Sequence, residues 1–262
     1  MIMTVLVACG PSHTDAPGSG GTIVRQGSIP SQLGDRTYRA YLPASLDRSA
    51  PTALVFVLHG AGEDAALMAT MTGFDELAER AGFIAVYPEG YHGTWNAGRC
   101  CGDAVTSGAQ DVRFIADLLN ELEADRSFRV DAARVYAAGF SVGGHMAYRL
   151  GWDLGDRIAA IGVVAGVLID ENCHPARPVP LLHIHGTSDH VVPYEGQSPP
   201  NGLPSVAASA QRWRTLNPGA DVQLLTVPNG GHVWFRAIGG SPSLNIEATP
   251  ELWEFFLGHP RP

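Results

Sequence analysis

Ser141 stands in the sequence GFSVG, between Gly139 and Gly143, where one hydrophobic pattern gives way to another. The preceding VYAA at 135–138 is typical of a short buried strand, and the apolar residues of 146–150 recur at helical spacing. A tight turn from strand to helix strains its apex residue, and glycines on both sides remove the collisions that side chains would cause. The pattern predicts a nucleophile elbow that lifts the Ser141 hydroxyl out of a sheet.

A serine hydroxyl becomes nucleophilic when a base accepts its proton and a carboxylate orients that base. Behind a serine elbow, the acid and then the histidine follow along the chain. His232, in the glycine-rich segment PNGGHVWF after the last strand-like run, is the predicted base. Asp189, in HGTSDHVVPY, is the predicted acid, with Asp170 as the alternative.

Acyl transfer also needs backbone N–H donors for an oxyanion. We predict Val142 as one donor and Ala61, between two glycines in LHGAGED, as the other; the alternative is that these glycines only make a tight turn. Trp95 and Trp234 are predicted to offer flat substrate-binding surfaces, with simple packing as the alternative.

No metal site is predicted. His183 and His185 alternate along a strand-like run, but no third ligand follows at suitable spacing, which favours a core or loop-bonding role. The cysteines have no CxxC spacing. We therefore expect neither a metal nor another cofactor.

Alternating elements must position these residues. Two extended segments at 22–27 and 36–43 predict an antiparallel hairpin at a sheet edge. Apolar strands then alternate with amphipathic helices, and Leu67, Met71, Phe74 and Ala78 form one helical face. Further strands are predicted at 52–60, 82–90, 158–166, 179–186 and 221–229, and helices at 112–122, 204–216 and 249–257. The pattern predicts an α/β fold whose mostly parallel sheet carries its functional groups at the carboxyl ends of the strands.

Length and composition fit one catalytic domain. The chain has 262 residues, of which 45% are hydrophobic and 16% charged, enough for a full core. We assign residues 1–21 to a signal remnant and flexible tether, and residues 22–262 to a single α/β-hydrolase domain. The net charge is −9 without a basic tract, so we expect no nucleic-acid partner, and we expect a monomer.

The chain begins with a short apolar run that ends in LVAC at residues 6–9. This sequence resembles a bacterial lipobox with Cys9 as the lipidated residue. The usual basic segment before the run is missing, and the alternative is a frayed apolar N-terminus. Export would favour one disulfide, between Cys173 and either Cys100 or Cys101. Three reduced, buried cysteines in a cytosolic enzyme are the alternative.

Eight motifs in unbroken order resemble the extracellular polyhydroxybutyrate depolymerase and feruloyl esterase group of α/β-hydrolases, including mycobacterial lipoprotein relatives. They are LHGAGE, FIAVYPEG, TWNAGRCCG, QDVRFIADLL, VYAAGFSVGGHMAYRL, VAGVL, HGTSDHVVPY and GGHVW. The resemblance implies a serine esterase with Ser141, Asp189 and His232 as its triad. Gln110 stands where the family often has an aspartate, and HVWFRAI lacks the Trp-Pro-Gly that commonly follows the histidine. These two departures leave the choice of substrate undecided.

We therefore expect an extracytoplasmic serine esterase, either lipid-anchored or secreted, whose membrane contact is limited to the anchor. The insertions at 88–108 and 187–204 have room only for a small lid, which predicts an open groove. Polyhydroxyalkanoate-type, hydroxycinnamoyl and short-chain esters are the expected substrates, polymers among them. A non-catalytic polymer-binding surface lipoprotein and a serine peptidase are the alternatives.

Overall fold

The computed structural model describes residues 21–169, 175–198, 202–236 and 246–262. Within them the strands are β1 (Ile23–Ile29), β2 (Arg36–Leu42), β3 (Thr52–Leu58), β4 (Ile84–Pro88), β5 (Val130–Phe140), β6 (Ile161–Val164), β7 (Leu181–Gly186) and β8 (Val222–Val227). The helices are α1 (Ala65–Thr72), α2 (Phe74–Ala81), α3 (Asp103–Thr106), α4 (Asp111–Ala124), α5 (Val142–Asp153), α6 (Val206–Leu216) and α7 (Ala248–Leu257).

The strands form one eight-stranded sheet in the order β1-β2-β4-β3-β5-β6-β7-β8. The hairpin of β1 and β2 is antiparallel, with Ile23 opposite Leu42, and β2 also pairs antiparallel with β4. From β4 to β8 every pairing is parallel. The predicted edge hairpin and mostly parallel sheet are confirmed.

Helices cover both faces of the sheet because its central strands are apolar on both sides. All seven residues of β3 are buried. One core cluster joins the sheet to α4, α5 and α6, with Phe114, Met146 and Trp213 among its members. The other joins it to α1, α2 and α7. Among the described residues, no helix is both long enough and apolar enough to cross a membrane.

The predicted helical face from Leu67 to Ala78 is divided between two helices. Gly73 separates α1 from α2 with φ 70°, and its N–H donates to the Ala69 carbonyl. A left-handed residue of this kind ends a helix, and glycine adopts it without the steric cost that a side chain would add. The apolar spacing continues across the break because both helices pack against the same face of the sheet.

Parallel strands place their carboxyl ends at one edge of the sheet. Ser141 directly follows β5, Asp189 lies three residues after β7, and His232 lies five residues after β8. The loop that contains Ala61 follows β3, which is paired with β5 up to Leu58 and Gly139. The topology therefore brings all four of these residues to the same edge.

Candidate active site

Ser141 occupies a strained turn between β5 and α5. Its φ is 54° and its ψ is −119°, and its N–H donates to the Val164 carbonyl at 2.9 Å. A Cβ on Gly139 would collide with the Gly143 carbonyl, and a Cβ on Gly143 would collide with the Leu58 carbonyl. Such a backbone costs about 1–3 kcal/mol and persists only where the surroundings enforce it. The two glycines allow this close approach, as the sequence predicts.

Ser141, His232 and Asp189 form a continuous hydrogen-bonded chain. Ser141 Oγ lies 3.0 Å from His232 Nε2, and His232 Nδ1 lies 2.8 Å from Asp189 Oδ2. The carboxylate can only accept, so Nδ1 carries the hydrogen and Nε2 faces the serine hydroxyl as an acceptor. The imidazole ring also packs against Phe140, with ring centroids 4.9 Å apart. This arrangement allows His232 to take the serine proton.

The loops after β7 and β8 are tied together, which sets the distance between the acid and the base. The Ser188 N–H donates to the Gly230 carbonyl at 2.8 Å, and the Thr187 N–H donates to the Val227 carbonyl at 3.0 Å. A Cβ on Gly186 would collide with Gly230. The close contact of these two backbones holds Asp189 beside the histidine loop.

Asp189 is buried and its carboxylate is held on both oxygens. Oδ1 accepts the N–H groups of Val191 and Val192, each at 2.8 Å, and Oδ2 accepts from His232. Burial acts to raise the pKa of Asp189, but the hydrogen bonds from His185, His232 and Val192 outweigh it and hold the pKa well below its usual range. The side chain is therefore ionised at neutral pH. Asp170, the alternative acid, lies outside the described residues.

Hydrogen bonding within the loop after β3 distinguishes Ala61 from its neighbours. The Gly60 N–H donates to Glu63 Oε2 at 2.8 Å, the Gly62 N–H donates to the Gly93 carbonyl at 2.9 Å, and the Glu63 N–H donates to the Gly60 carbonyl at 3.3 Å. Within the described residues, the N–H groups of Ala61 and Val142 have no such acceptor. The two N–H groups predicted as oxyanion donors are therefore available to a substrate oxygen.

His59, which the sequence reasoning missed, holds the loop after β3. Its Nε2 accepts the Gly90 N–H at 2.8 Å, so Nδ1 carries the hydrogen and donates to the Gly60 carbonyl at 2.7 Å. Burial lowers the pKa of His59, while the Gly60 carbonyl acts in the opposite direction. The ring is thus neutral. The sequence signal for this residue is a histidine followed by glycine directly after the buried strand β3.

The two tryptophans predicted to bind substrate are core residues, so these predictions are wrong. Trp95 is 0% exposed and its Nε1 donates to the His59 carbonyl at 2.9 Å. Trp234 is 4% exposed and its Nε1 donates to Thr249 Oγ1 at 2.9 Å. Buried rings with satisfied N–H groups have no surface to offer a substrate.

His183 and His185 are buried and contact each other, with 3.2 Å between His183 Nε2 and His185 Nδ1. No group of three or more His, Cys, Asp or Glu side chains in the described part of the chain has the arrangement of a metal site.

The cysteine prediction needs correction. The structure pairs the sulfur atoms of Cys100 and Cys101 with each other. The predicted bond from one of them to Cys173 differs from this arrangement. Cys173 itself, and Cys9 with most of the predicted tether, lie outside the described residues.

Comparison with known proteins finds similar esterases. The family described as Esterase PHB depolymerase matches residues 36–197, which include Ser141 and Asp189. Feruloyl esterase C from Emericella nidulans is 30% identical over 284 residues, with 98% of each chain covered. A bifunctional acetylxylan esterase/xylanase from Neocallimastix patriciarum is 30% identical over 162 residues, which are 61% of this chain and 22% of that protein. The chain therefore spans less than a quarter of this last relative.

The fold has solved counterparts. Esterase 2 from Thermogutta terrifontis, in a form phosphorylated by paraoxon, aligns with a TM-score of 0.61 and 18% identity over 92% of this chain and 95% of that one. A likeness at this identity concerns the fold, and the predicted α/β-hydrolase class is confirmed. The resemblance stated from the sequence motifs is confirmed by the family match.

Proposed function

The chain belongs to the esterase PHB depolymerase family, and from that premise we propose that it is a serine esterase that hydrolyses carboxylic esters through an acyl-enzyme. The observation that carries the proposal is the hydrogen-bonded chain from Ser141 Oγ through His232 to Asp189, with distances of 3.0 and 2.8 Å. A non-catalytic polymer-binding protein has no need of this alignment. The names of the similar proteins, which include feruloyl and acetylxylan esterases, support the same reaction.

In the first half-reaction Ser141 Oγ attacks the ester carbonyl carbon while its proton passes to His232 Nε2. Asp189 holds the imidazole with Nδ1 protonated and stabilises the imidazolium that forms. The N–H groups of Ala61 and Val142 stabilise the oxyanion, and His232 then gives its proton to the leaving alcohol. In the second half-reaction His232 takes a proton from water, which attacks the acyl-enzyme carbonyl. Collapse of the second intermediate releases the acid and returns the proton to Ser141.

We propose an open, apolar-rimmed substrate groove. In the described residues of the two insertions that could hold a lid, the helical structure is the single turn α3. Val191 and Val233 are 61% and 48% exposed, and they follow Asp189 and His232 by two residues and one residue. An open groove with apolar side chains beside the base suits the bulky acyl part of a hydroxycinnamoyl ester or a hydroxyalkanoate polymer better than one long flexible chain.

A substrate series tests the groove. We expect p-nitrophenyl esters of short acids to be hydrolysed faster than those of long acids, with activity on methyl ferulate or amorphous polyhydroxybutyrate. Ser141→Ala serves as the control for hydrolysis that does not depend on the site. A maximum at acyl chains of about twelve carbons or more would contradict an open groove without a tunnel. Cleavage of peptide substrates without ester turnover would instead support the serine peptidase.

We further propose an extracytoplasmic location with Cys9 as a lipid anchor, supported by the LVAC sequence at residues 6–9. Intact-mass analysis of membrane-extracted protein is expected to show cleavage before Cys9 and added acyl chains. Unmodified protein beginning at Met1 in the cytosolic fraction would overturn this proposal without affecting the proposed esterase chemistry.

A further inference from the structure

A chain of buried hydrogen-bonding groups leads from α5 to the back of Asp189. Tyr148 Oη lies 3.0 Å from His183 Nδ1, and His183 Nε2 lies 3.2 Å from His185 Nδ1. His185 Nε2 then lies 2.9 Å from the Val192 carbonyl and 3.3 Å from Asp189 Oδ2. Tyr148, His183 and His185 are all 0% exposed. The ester-hydrolysis steps described above use none of these three side chains.

The two oxygen acceptors at the Asp189 end determine which nitrogen of each histidine carries the hydrogen. His185 Nε2 faces a carbonyl oxygen and a carboxylate oxygen, which can only accept, so Nε2 carries the hydrogen. In a neutral ring Nδ1 is then an acceptor, and it must receive the hydrogen of His183 Nε2. His183 Nδ1 is in turn an acceptor for the Tyr148 hydroxyl. All three donors therefore point towards Asp189.

The surroundings keep His183 neutral. Burial holds the pKa of His183 well below its usual range, His185 and His145 act in the same direction, and the Gly166 carbonyl opposes them. Burial likewise lowers the pKa of His145 to about 4. The titratable groups that interact with Asp189 are His185 from β7 and His232 from the loop after β8. Asp189 is thus the anion towards which the donors of this chain point.

We propose that His185 is a positioning residue of the triad, held in its Nε2–H tautomer by His183 and Tyr148. This inference rests on the proposed esterase function. His185 acts in two ways: its Nε2–H donates to the Val192 carbonyl, and it lies 3.3 Å from Asp189 Oδ2, the oxygen that also faces His232 Nδ1. The Val192 N–H in turn donates to Asp189 Oδ1. The carboxylate is therefore held in one orientation from both sides.

Loss of the His185 donor has two consequences for catalysis. The carboxylate gains rotational freedom, so the imidazole is less well aligned with Ser141 and kcat falls. In addition, the negative charge on Oδ2 is then shared with one hydrogen-bond donor fewer, so it interacts more strongly with His232 and stabilises the imidazolium form of that residue. The acidic limb of the pH–rate profile then moves to higher pH. A residue that only supported the fold would not move this limb.

The test compares His185→Leu with His185→Gln, whose side-chain amide can still donate to Asp189. We expect His185→Leu to lower kcat about 10- to 100-fold, as for loss of a hydrogen bond to a charged group, with KM changed by about twofold or less. We expect the acidic limb to move to higher pH in this variant, and His185→Gln to restore most of kcat and the original limb. Equal losses in both variants, or an unchanged profile in folded His185→Leu, would overturn the proposal.

A second comparison applies even where His185→Leu does not fold. Tyr148→Phe removes the first donor of the chain, whereas Tyr136→Phe removes a buried hydroxyl that has no hydrogen-bond partner among the described residues. We expect a severalfold lower kcat for Tyr148→Phe and no change for Tyr136→Phe. Identical kcat and pH profiles for these two variants would count against the chain.

Nitrogen-15 NMR of histidine-labelled protein reads the tautomers directly, without an activity assay. We expect His183 and His185 to be neutral with Nε2 protonated near pH 7, and an Nδ1–H tautomer in either ring would overturn the proposal. The outcomes also separate this inference from the esterase function. Wild-type protein without ester turnover refutes the function, whereas active wild type with an equally active His185→Leu variant refutes only the role of His185.

Discussion

The buried ion pair between Asp111 and Arg36 allows a quantitative prediction about stability. Asp111, at the start of α4, is 0% exposed in its side chain and lies 2.7 Å from an Arg36 nitrogen, which is itself only 6% exposed. The other carboxylate oxygen accepts the Asn96 N–H at 2.6 Å, and Arg36 also donates to the Glu89 carbonyl. The pair therefore joins α4 and β2 to the segments around Glu89 and Asn96.

Asp111→Asn keeps the shape of the side chain but removes its charge and one acceptor oxygen. The Arg36 guanidinium is then buried without a counter-charge, which costs about 3–5 kcal/mol of unfolding free energy. Because about 1 kcal/mol changes the melting temperature by roughly 2–4 °C in a domain of this size, we expect a decrease of about 6–20 °C. Asp117→Asn is the matched control, since it breaks an Arg–Asp pair on the same helix in which Arg113 is 72% exposed. Its expected cost is about 1 kcal/mol or less.

Urea unfolding followed by tryptophan fluorescence and circular dichroism measures both variants, with linear extrapolation to water. The two probes must coincide for the free energies to be compared. If Asp111→Asn costs no more than Asp117→Asn, the burial argument is wrong. A changed m-value would show that the mutation alters how much surface is exposed on unfolding.

Three further predictions concern Asp189 and the core residue Trp234. Asp189→Asn presents an amide to His232 and favours the wrong tautomer, so we expect kcat to fall about 10³- to 10⁴-fold in steady-state assays at neutral pH. Because the pKa of Asp189 is lowered in the folded state, its ionised form contributes stability above about pH 4 that is lost as the pH falls through the folded-state pKa. The difference in unfolding free energy between wild type and Asp189→Asn should therefore narrow in acid, and a constant difference would contradict the shift. Trp234→Ala leaves a cavity in the core, so we expect it to lower the free energy of unfolding by about 3–5 kcal/mol and to leave the relative rates on different ester substrates unchanged. A changed substrate preference with unchanged stability would instead support the predicted role of Trp234 in substrate binding.

The sequence predicted those features that depend on local backbone constraints and chain order. The collisions at Gly139 and Gly143 are nearly independent of distant residues, so GFSVG was enough to place Ser141 on the turn. The order of serine, acid and histidine selected Asp189 and His232 because parallel strands bring their carboxyl ends together. The structure aligns these side chains as predicted, and their catalytic roles stay proposals.

The sequence did not predict which side chains are exposed or which residues distant in sequence are in contact. Trp95 donates a hydrogen bond to the carbonyl of His59, which is 36 residues away in sequence, and Trp234 donates one to Thr249 of α7. The burial of these two side chains therefore does not follow from the local sequence pattern. His185 lies on the same strand face as His183, which the alternation indicated. Its contact with Asp189 requires the loop after β7 to fold back, and no local signal specifies that return.

Covalent labelling by a fluorophosphonate, followed by peptide mapping, tests the central claim most directly, because the reagent reacts with an activated serine without requiring the natural substrate. We expect one label, on Ser141, that competes with ester substrate and is lost in His232→Ala. A label confined to another serine, or rapid labelling of Ser141 that persists in His232→Ala, would contradict the assignment of Ser141 as a nucleophile activated by His232 and Asp189.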